Sequence, residues 1–383
     1  METLKTVILK KMENERGLSE KLASISGYSS GSAFKKIIVD EGKDIEKLDG
    51  FMDVVDYICN EDERLNKEQL ILDFTKGLDN NTITIKLLLE YFTLYYRYDH
   101  VETIVNKLKA SNKKDFEEFG LVYEIQRQVQ TKQITPLEGI VELTKYIHSK
   151  KIEVRVAAKI FISYCQYDMR NINLLDSYID EIESEVDKIK NDFLRKSYQG
   201  RIFRLRVDIN LHTDKIGKLI ESLFVIENAP NPTKTMVYLQ IGNSYMIKSY
   251  EKAMYYFNKA MEYKTIKSEN EIKQSINFTS LLWNKLDVFK SDGSLSNDLF
   301  YHVRSGNKGK AEETIKQIDF EKLTTSGKAF NCFYRGLLYN DKSLFFKSVE
   351  YFISVGEKFY RQLPIMELKK MGEQDYILSA LSA

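Results

Sequence analysis

Apolar side chains along this chain recur at helical spacing. Val101, Ile104, Val105 and Leu108 form one i, i+3, i+4, i+7 stripe, and Leu175, Tyr178, Ile182, Val186 and Ile189 form another. Strand-like alternation is absent. Short polar breaks separate the stripes: Asp79-Asn80-Asn81, Ser111-Asn112, Asn231-Pro232 and Ser291-Asp292-Gly293, lengths that join antiparallel helix neighbours. The pattern predicts an all-α chain of successive helical hairpins. Its four prolines in 383 residues agree, because proline is the residue that helix interiors tolerate least.

The strongest internal signal is a repeat. From Tyr238 the chain reads Ile241-Gly242, Tyr245, Ala253, Phe257 and Ala260, the large, small and aromatic positions of a tetratricopeptide unit whose inter-helix turn is one residue short. From Cys332 it reads Gly336, Tyr339, Ser348, Phe352 and Val355 at full spacing, and Ala311, Ile315 and Ile318 match the second helix of a third unit. Helices packed at random do not repeat a glycine and a small residue at one offset. Such hairpins stack into a right-handed superhelix with a concave face suited to an extended peptide. A generic stack of hairpins without repeat identity is the alternative.

The first residues differ in texture. From Leu18 to Val39 one helix carries Leu22, Ala23 and Ile25, Gly27-Tyr28 follows, and a Ser-rich start leads into a second helix with Phe34, Ile37 and Ile38. In a helix-turn-helix, a small residue and a glycine four later let two helices cross closely, so that the second enters the major groove N-terminus first; Ala23 and Gly27 satisfy this. Residues 1–36 carry seven basic and four acidic side chains, a local +3 on a chain whose formal charge is +1. Ser29, Ser30 and Ser32 suit phosphate or base-edge contacts, and Lys21, Lys35 and Lys36 suit phosphate neutralisation. The bland alternative is a capped helical hairpin with Ser32 as N-cap.

Composition narrows the chemistry. With 57 basic against 56 acidic residues, the chain is neither a polybasic coat nor an acidic tail, and any nucleic-acid contact is local. Cys59, Cys165 and Cys332 are odd in number and widely separated; they read as buried thiols of a reducing cytoplasm. His100, His148, His212 and His302 show no metal-binding spacing, and Gly306-Asn307-Lys308-Gly309-Lys310-Ala311 lacks the spacing and hydroxyl of a phosphate loop. Glu181, Glu183, Glu185 and Asp187 read as one solvated helix face rather than paired catalytic carboxylates. No secretory signal or membrane span is present, so the expectation is a cytoplasmic protein that is not an enzyme and carries no cofactor or metal.

The last segment, 363–383, is a pair of short apolar helices with Ile365, Met366, Leu368, Met371, Ile377, Leu378 and Leu381. Helices this apolar at the end of a stack cap the last hairpin or pair with a partner.

A small helix-turn-helix followed by degenerate tetratricopeptide hairpins resembles the peptide-sensing regulators of the Rap, NprR, PlcR and PrgX type. Within them the chain closely resembles the arbitrium receptors, the AimR family of temperate phages. The specific stretches are Tyr198-Gln199-Gly200-Arg201, Tyr238-Leu239-Gln240-Ile241-Gly242-Asn243-Ser244, and Val349-Glu350-Tyr351-Phe352 with Lys358 to Glu373. The resemblance implies a homodimer that binds an operator in phage DNA and promotes lysis, until a secreted hexapeptide, typically ending Arg-Gly-Ala, turns it off. It further implies Glu357 against the peptide arginine with Phe359 and Tyr360 as walls, and Asn243 on the peptide backbone. Asp208 falls where an amide is the usual type. Arg201, Asn297 and Asn331 fall near the inner face, and Lys234 stands where the family offers an arginine to the peptide carboxylate. Leu368, Met371, Ile377, Leu378 and Leu381 fall in the segment the family uses to dimerise.

The expected domains are a DNA-binding unit over 1–60, a peptide-binding superhelix over 61–362 and dimerising or capping helices over 363–383. The competing reading is a tetratricopeptide scaffold that binds a host protein without DNA, which would show no salt-dependent DNA binding.

Overall fold

The structure is a computed structural model describing residues 3–40, 44–60, 65–80, 82–169, 171–172, 175–224, 226, 229, 231–264 and 268–382. Among these residues the chain is all-α, with 22 α-helices, two short 3-10 turns and no strand. By compactness it divides into two units, Met1–Cys165 with Asp180–Gln199, and Gln166–Ile179 with Gly200–Ala383.

The first unit begins with α1 (Leu4–Asn14), α2 (Leu18–Ser26), α3 (Gly31–Val39), α4 (Leu48–Asn60) and α5 (Lys67–Gly77). It continues through α6 (Ile83–Leu94), α7 (Tyr98–Lys109), α8 (Lys114–Gln130), α9 (Pro136–Thr144) and most of α10 (Ile152–Asp168). The end of α11 (Leu175–Val186) and the start of α12 (Asp192–His212) complete it. The stripe Val101, Ile104, Val105 and Leu108 is buried on α7, as its spacing requires. The expected boundary at 60 falls inside this unit, since α4 packs on α6 and α5 on α7; residues 61–64 lie outside the described residues.

The N-terminal helices differ in detail from the sequence expectation. Gly27 is not the crossing residue: it ends α2 in the left-handed region at φ +71°, where its missing Cβ avoids strain. Close approach occurs instead at Gly31, where an added Cβ would lie 2.8 Å from the Ser19 carbonyl carbon, and at Gly50, where it would lie 2.5 Å from the Ser26 carbonyl oxygen. Ser30, not Ser32, caps α3, accepting from the Ala33 N–H at 3.2 Å, and Glu20 accepts from the Gly31 N–H at 2.9 Å. Lys5 is withdrawn from the local positive charge. It is buried and donates to the carbonyls of Ile37 at 3.3 Å and Asp40 at 2.8 Å, closing the C-terminus of α3.

The second unit holds α13 (Ile216–Glu221), α14 (Asn231–Tyr245), α15 (Tyr250–Glu262), α16 (Ser268–Leu282), α17 (Leu295–Arg304) and α18 (Lys308–Gln317). It ends with α19 (Thr325–Tyr339), α20 (Lys342–Ser354), α21 (Gln362–Lys370) and α22 (Asp375–Ser382). The hairpins α14/α15, α17/α18 and α19/α20 are the three units read from the repeat. Gly242 lies under the Phe257 ring, 2.5 Å from where a Cβ would stand, so a side chain there would push the helices apart. Gly336 instead meets Phe345, at 2.7 Å, seven residues or about two turns before Phe352, which holds the ring position of the repeat. The links also differ: Asn340 at φ +52° turns the chain within two residues, whereas four separate α14 from α15. Each fully buried aromatic or leucine on these faces contributes about 1.5–3 kcal/mol.

Candidate functional site: a polar cavity in the second unit

A cavity of about 500 Å³ opens in the second unit between the ends of α10 and α12, the inner face of α14, and helices α16, α17 and α19. Its wall contains Tyr167, Asp208, His212, Gln240, Asn243, Glu271, Asn297 and Tyr360. Helical spacing explains the cluster. Asp208 and His212 are four apart on α12 and Gln240 and Asn243 three apart on α14, so each pair shares a face.

The buried polar groups form a directed chain. Gln240 Nε2 donates to Asp208 Oδ1 at 2.7 Å and also faces the Met236 sulfur at 3.5 Å, while Asn243 Nδ2 donates to Gln240 Oε1 at 2.8 Å. Asn243 Oδ1 is buried with no hydrogen-bond partner among the described residues. Leaving such an acceptor unmet costs about 1–3 kcal/mol. Burial pushes the Asp208 carboxyl up to about 6, against the lowering influence of His212, Arg204 and the Gln240 hydrogen bond; Glu271 adds to the rise.

A second network braces the wall. His212 hydrogen-bonds through Nδ1 to the Glu357 carboxylate, and its Nε2 lies 2.8 Å from Tyr167 Oη. Glu357 Oε1 accepts from the backbone N–H groups of Phe359 and Tyr360, each at 3.0 Å, and the Lys358 N–H donates to the His212 carbonyl at 2.8 Å. The carboxylate therefore fastens the 357–360 turn to the end of α12.

Of the residues expected to touch a ligand, the structure brings Asp208, Asn243, Asn297 and Tyr360 together around the cavity. Glu357 is 5% exposed and engaged as above; it is not among the lining residues. Phe359 is buried in the apolar core with Val207, Val237 and Ile241, and Arg201 and Asn331 are buried away from this lining. Lys234 lies over the Tyr263 ring at 5.2 Å, also outside the lining. The sequence reading missed Tyr167, His212, Gln240 and Glu271. Gln240 and His212 had a local signal, standing three residues from Asn243 and four from Asp208.

Elsewhere, Lys35 and Lys36 are exposed on α3, as are Ser29 and Ser32 at its start, where Ser30 serves as cap. Lys21 donates to Tyr57 Oη at 2.6 Å and sits over that ring. In the terminal helices Leu368 and Leu378 are buried in this chain's own core, with Met371 and Leu381 packed against them and Ile377 half-buried. The apolar groups left outside are Met366, 40% exposed, and Tyr376, 71% exposed. The acidic face of α11 is in part an ion-pair site: Glu185 meets Lys159 and Arg155, each at 2.6 Å. Among the described residues, no helix is long and apolar enough to cross a membrane.

Hairpins of this kind, with a partly open polar cavity among them, define an all-helical hairpin protein among the described residues. The chain belongs to the AimR transcriptional regulator-like family, whose model matches residues 67–370. It is similar over its full length to the AimR transcriptional regulator of Bacillus phage SPbeta, 25% identical with both chains wholly covered. The AimR transcriptional regulator of Bacillus phage phi3T is 24% identical over 98% of this chain and 100% of its own. The fold matches the solved structure of SeMet-phAimR, with a TM-score of 0.73 and 23% identity over 100% of both chains. It also matches the structure of phAimR-Ligand, with a TM-score of 0.76 and 23% identity over 86% of this chain and 99% of that one.

Proposed function

We propose that this protein is a peptide-responsive, DNA-binding transcriptional regulator of the phage lysis–lysogeny decision. It acts by binding, as a homodimer in the cytoplasm of the host cell, and a short secreted hexapeptide, ending Arg-Gly-Ala, switches it off. Asp208, Asn243, Asn297 and Tyr360 contact the peptide. Glu357 holds the wall behind it through His212 and the backbone of Phe359 and Tyr360. Ser29, Ser32, Lys35 and Lys36 meet the operator through α3.

One observation carries the reading: the buried Asn243 carbonyl has no partner among the described residues and lines a cavity of about 500 Å³. An unmet acceptor in such a wall is the complement of a peptide N–H, and the volume lies within the range of ordinary ligand sites. Family membership and relatives named as transcriptional regulators support the DNA-binding half.

The test is retention of DNA fragments flanking the gene by the full chain, with and without the short peptide encoded just downstream. Salt-dependent retention that the peptide abolishes is the expected result. Retention of no flanking fragment at low salt rejects the DNA-binding half, and retention indifferent to peptide rejects the switch.

A further inference from the structure

We propose that Glu20, a side chain of α2, determines base specificity at the operator: its carboxylate stands at the leading end of α3 and accepts from the exocyclic amino group of a cytosine in the major groove. The proposal rests on the DNA-binding reading and adds a base that the operator must present.

The helix that enters the groove begins with Gly31, so its first position carries no side chain of its own. Glu20 fills that place. Its Oε2 accepts from the Gly31 N–H at 2.9 Å, and its Oε1 lies 2.7 Å from where a Cβ on Gly31 would stand. The Ser19 carbonyl carbon and hydroxyl lie 2.8 Å from the same point, so the close approach of α2 admits the carboxylate and excludes a substituent on Gly31. Glu20 is exposed, as are Ser32, Lys35 and Lys36 along α3. The bond to Gly31 fixes the direction of the carboxylate before DNA arrives, and the other oxygen retains its acceptor capacity.

The same geometry decides what that oxygen accepts from. A helix N-terminus ordinarily suits a phosphate, but here the Gly31 N–H is taken by Glu20 and the Ala33 N–H by the Ser30 hydroxyl. The carboxylate also repels an anion. Its partner in the groove is therefore a donor on a base edge. Guanine shows acceptors there at N7 and O6, and thymine shows O4. Adenine offers its N6 amino group beside the N7 acceptor, which would face the carboxylate, whereas cytosine offers N4 with no acceptor next to it.

The experiment uses the full-length protein and the shortest flanking fragment that it retains. Each cytosine of the protected stretch is replaced in turn by 2-pyrimidinone, which lacks only the amino group and stays opposite guanine. Wild type should lose about tenfold or more in affinity at one position of each half-site. That position is then rebuilt as uracil opposite adenine, which sets a carbonyl where the amino group was. Wild type should again prefer cytosine by about tenfold or more. Glu20→Gln keeps an oxygen for the Gly31 N–H and presents an NH2 to the base, so it should bind the uracil operator at least as tightly as the cytosine one. Glu20→Ala should bind the two alike. Comparing two operators on one protein cancels any general gain from removing a negative charge beside DNA. A side chain that only braces α3 would weaken both operators together and leave the wild-type preference in both variants, which overturns the proposal. Indifference of wild type to the amino group at every cytosine overturns it too, whether or not the variants fold, and leaves the DNA-binding reading standing. Retention of no flanking fragment by wild type rejects both.

Discussion

His212 and Glu357, 145 residues apart in the chain, are hydrogen-bonded to each other in the buried wall of the cavity. The pair already engages the carboxylate that the resemblance sets against the peptide arginine. A carboxylate already serving an imidazole and two backbone N–H groups has its main acceptor directions occupied.

Glu357→Gln should therefore act first on stability. Leaving a buried hydrogen-bonding group unmet costs about 1–3 kcal/mol, and the amide can still accept one backbone bond, so the loss should lie in that range. Urea unfolding measures it. Unchanged stability together with lost peptide binding would mean that the carboxylate faces the peptide after all.

Asp208 should make the protein pH-sensitive in a definite direction. Its folded pKa, about 6, lies above the ordinary aspartate value of 3.8, so the folded chain holds the proton longer. The stability that this holds is complete below about pH 4 and is lost as pH rises through about 6, a total of about 3 kcal/mol. Binding of a cationic peptide needs the ionised form and should run the other way, weakening about tenfold from pH 7 to pH 5. The titratable and charged groups facing Asp208 are His212 and Arg204 on its own helix and Glu271 on α16, beside Gln240 on α14. Calorimetry of Asp208→Asn across this range should show a flattened profile; a profile identical to wild type would remove Asp208 as the source of the dependence.

The double change Lys35→Glu/Lys36→Glu should abolish operator binding and leave peptide affinity intact, at about 1–2 kcal/mol per reversed charge at moderate salt. Lys5→Ala should instead lower thermal stability, because Lys5 closes the end of α3 from inside. Normal operator affinity in the lysine double variant would put the DNA surface on other helices.

For the proposed homodimer, the structure redirects the choice of variant. Leu368→Asp/Leu378→Asp places charge in the chain's own core and should unfold the last hairpins, with a loss above about 4 kcal/mol. Met366→Asp/Tyr376→Asp changes side chains that are outside it and should keep the fold while sedimentation shifts to a monomer. A stable dimer in this second variant would remove α21 and α22 from the subunit contact.

The helices were legible in the sequence because their signal is local. The α7 stripe follows from which residues stand three, four or seven apart, spacing that fixes a helix and its apolar face before any partner is known, while Gly242 against Phe257 and the hairpin α17/α18 follow from the repeat. Asn243 and Asp208 were picked out through family resemblance, and the structure does set both in one cavity wall. What only the tertiary structure decided is pairing across long separations. That Gln240 joins Asp208 to Asn243, that His212 takes the Glu357 carboxylate, that Lys5 closes α3 and that Leu368 is spent on the core all depend on which helix faces lie together. A buried polar side chain must find its partner in space, and the periodicity that tells a helix's inner face from its outer one says nothing about what that partner is.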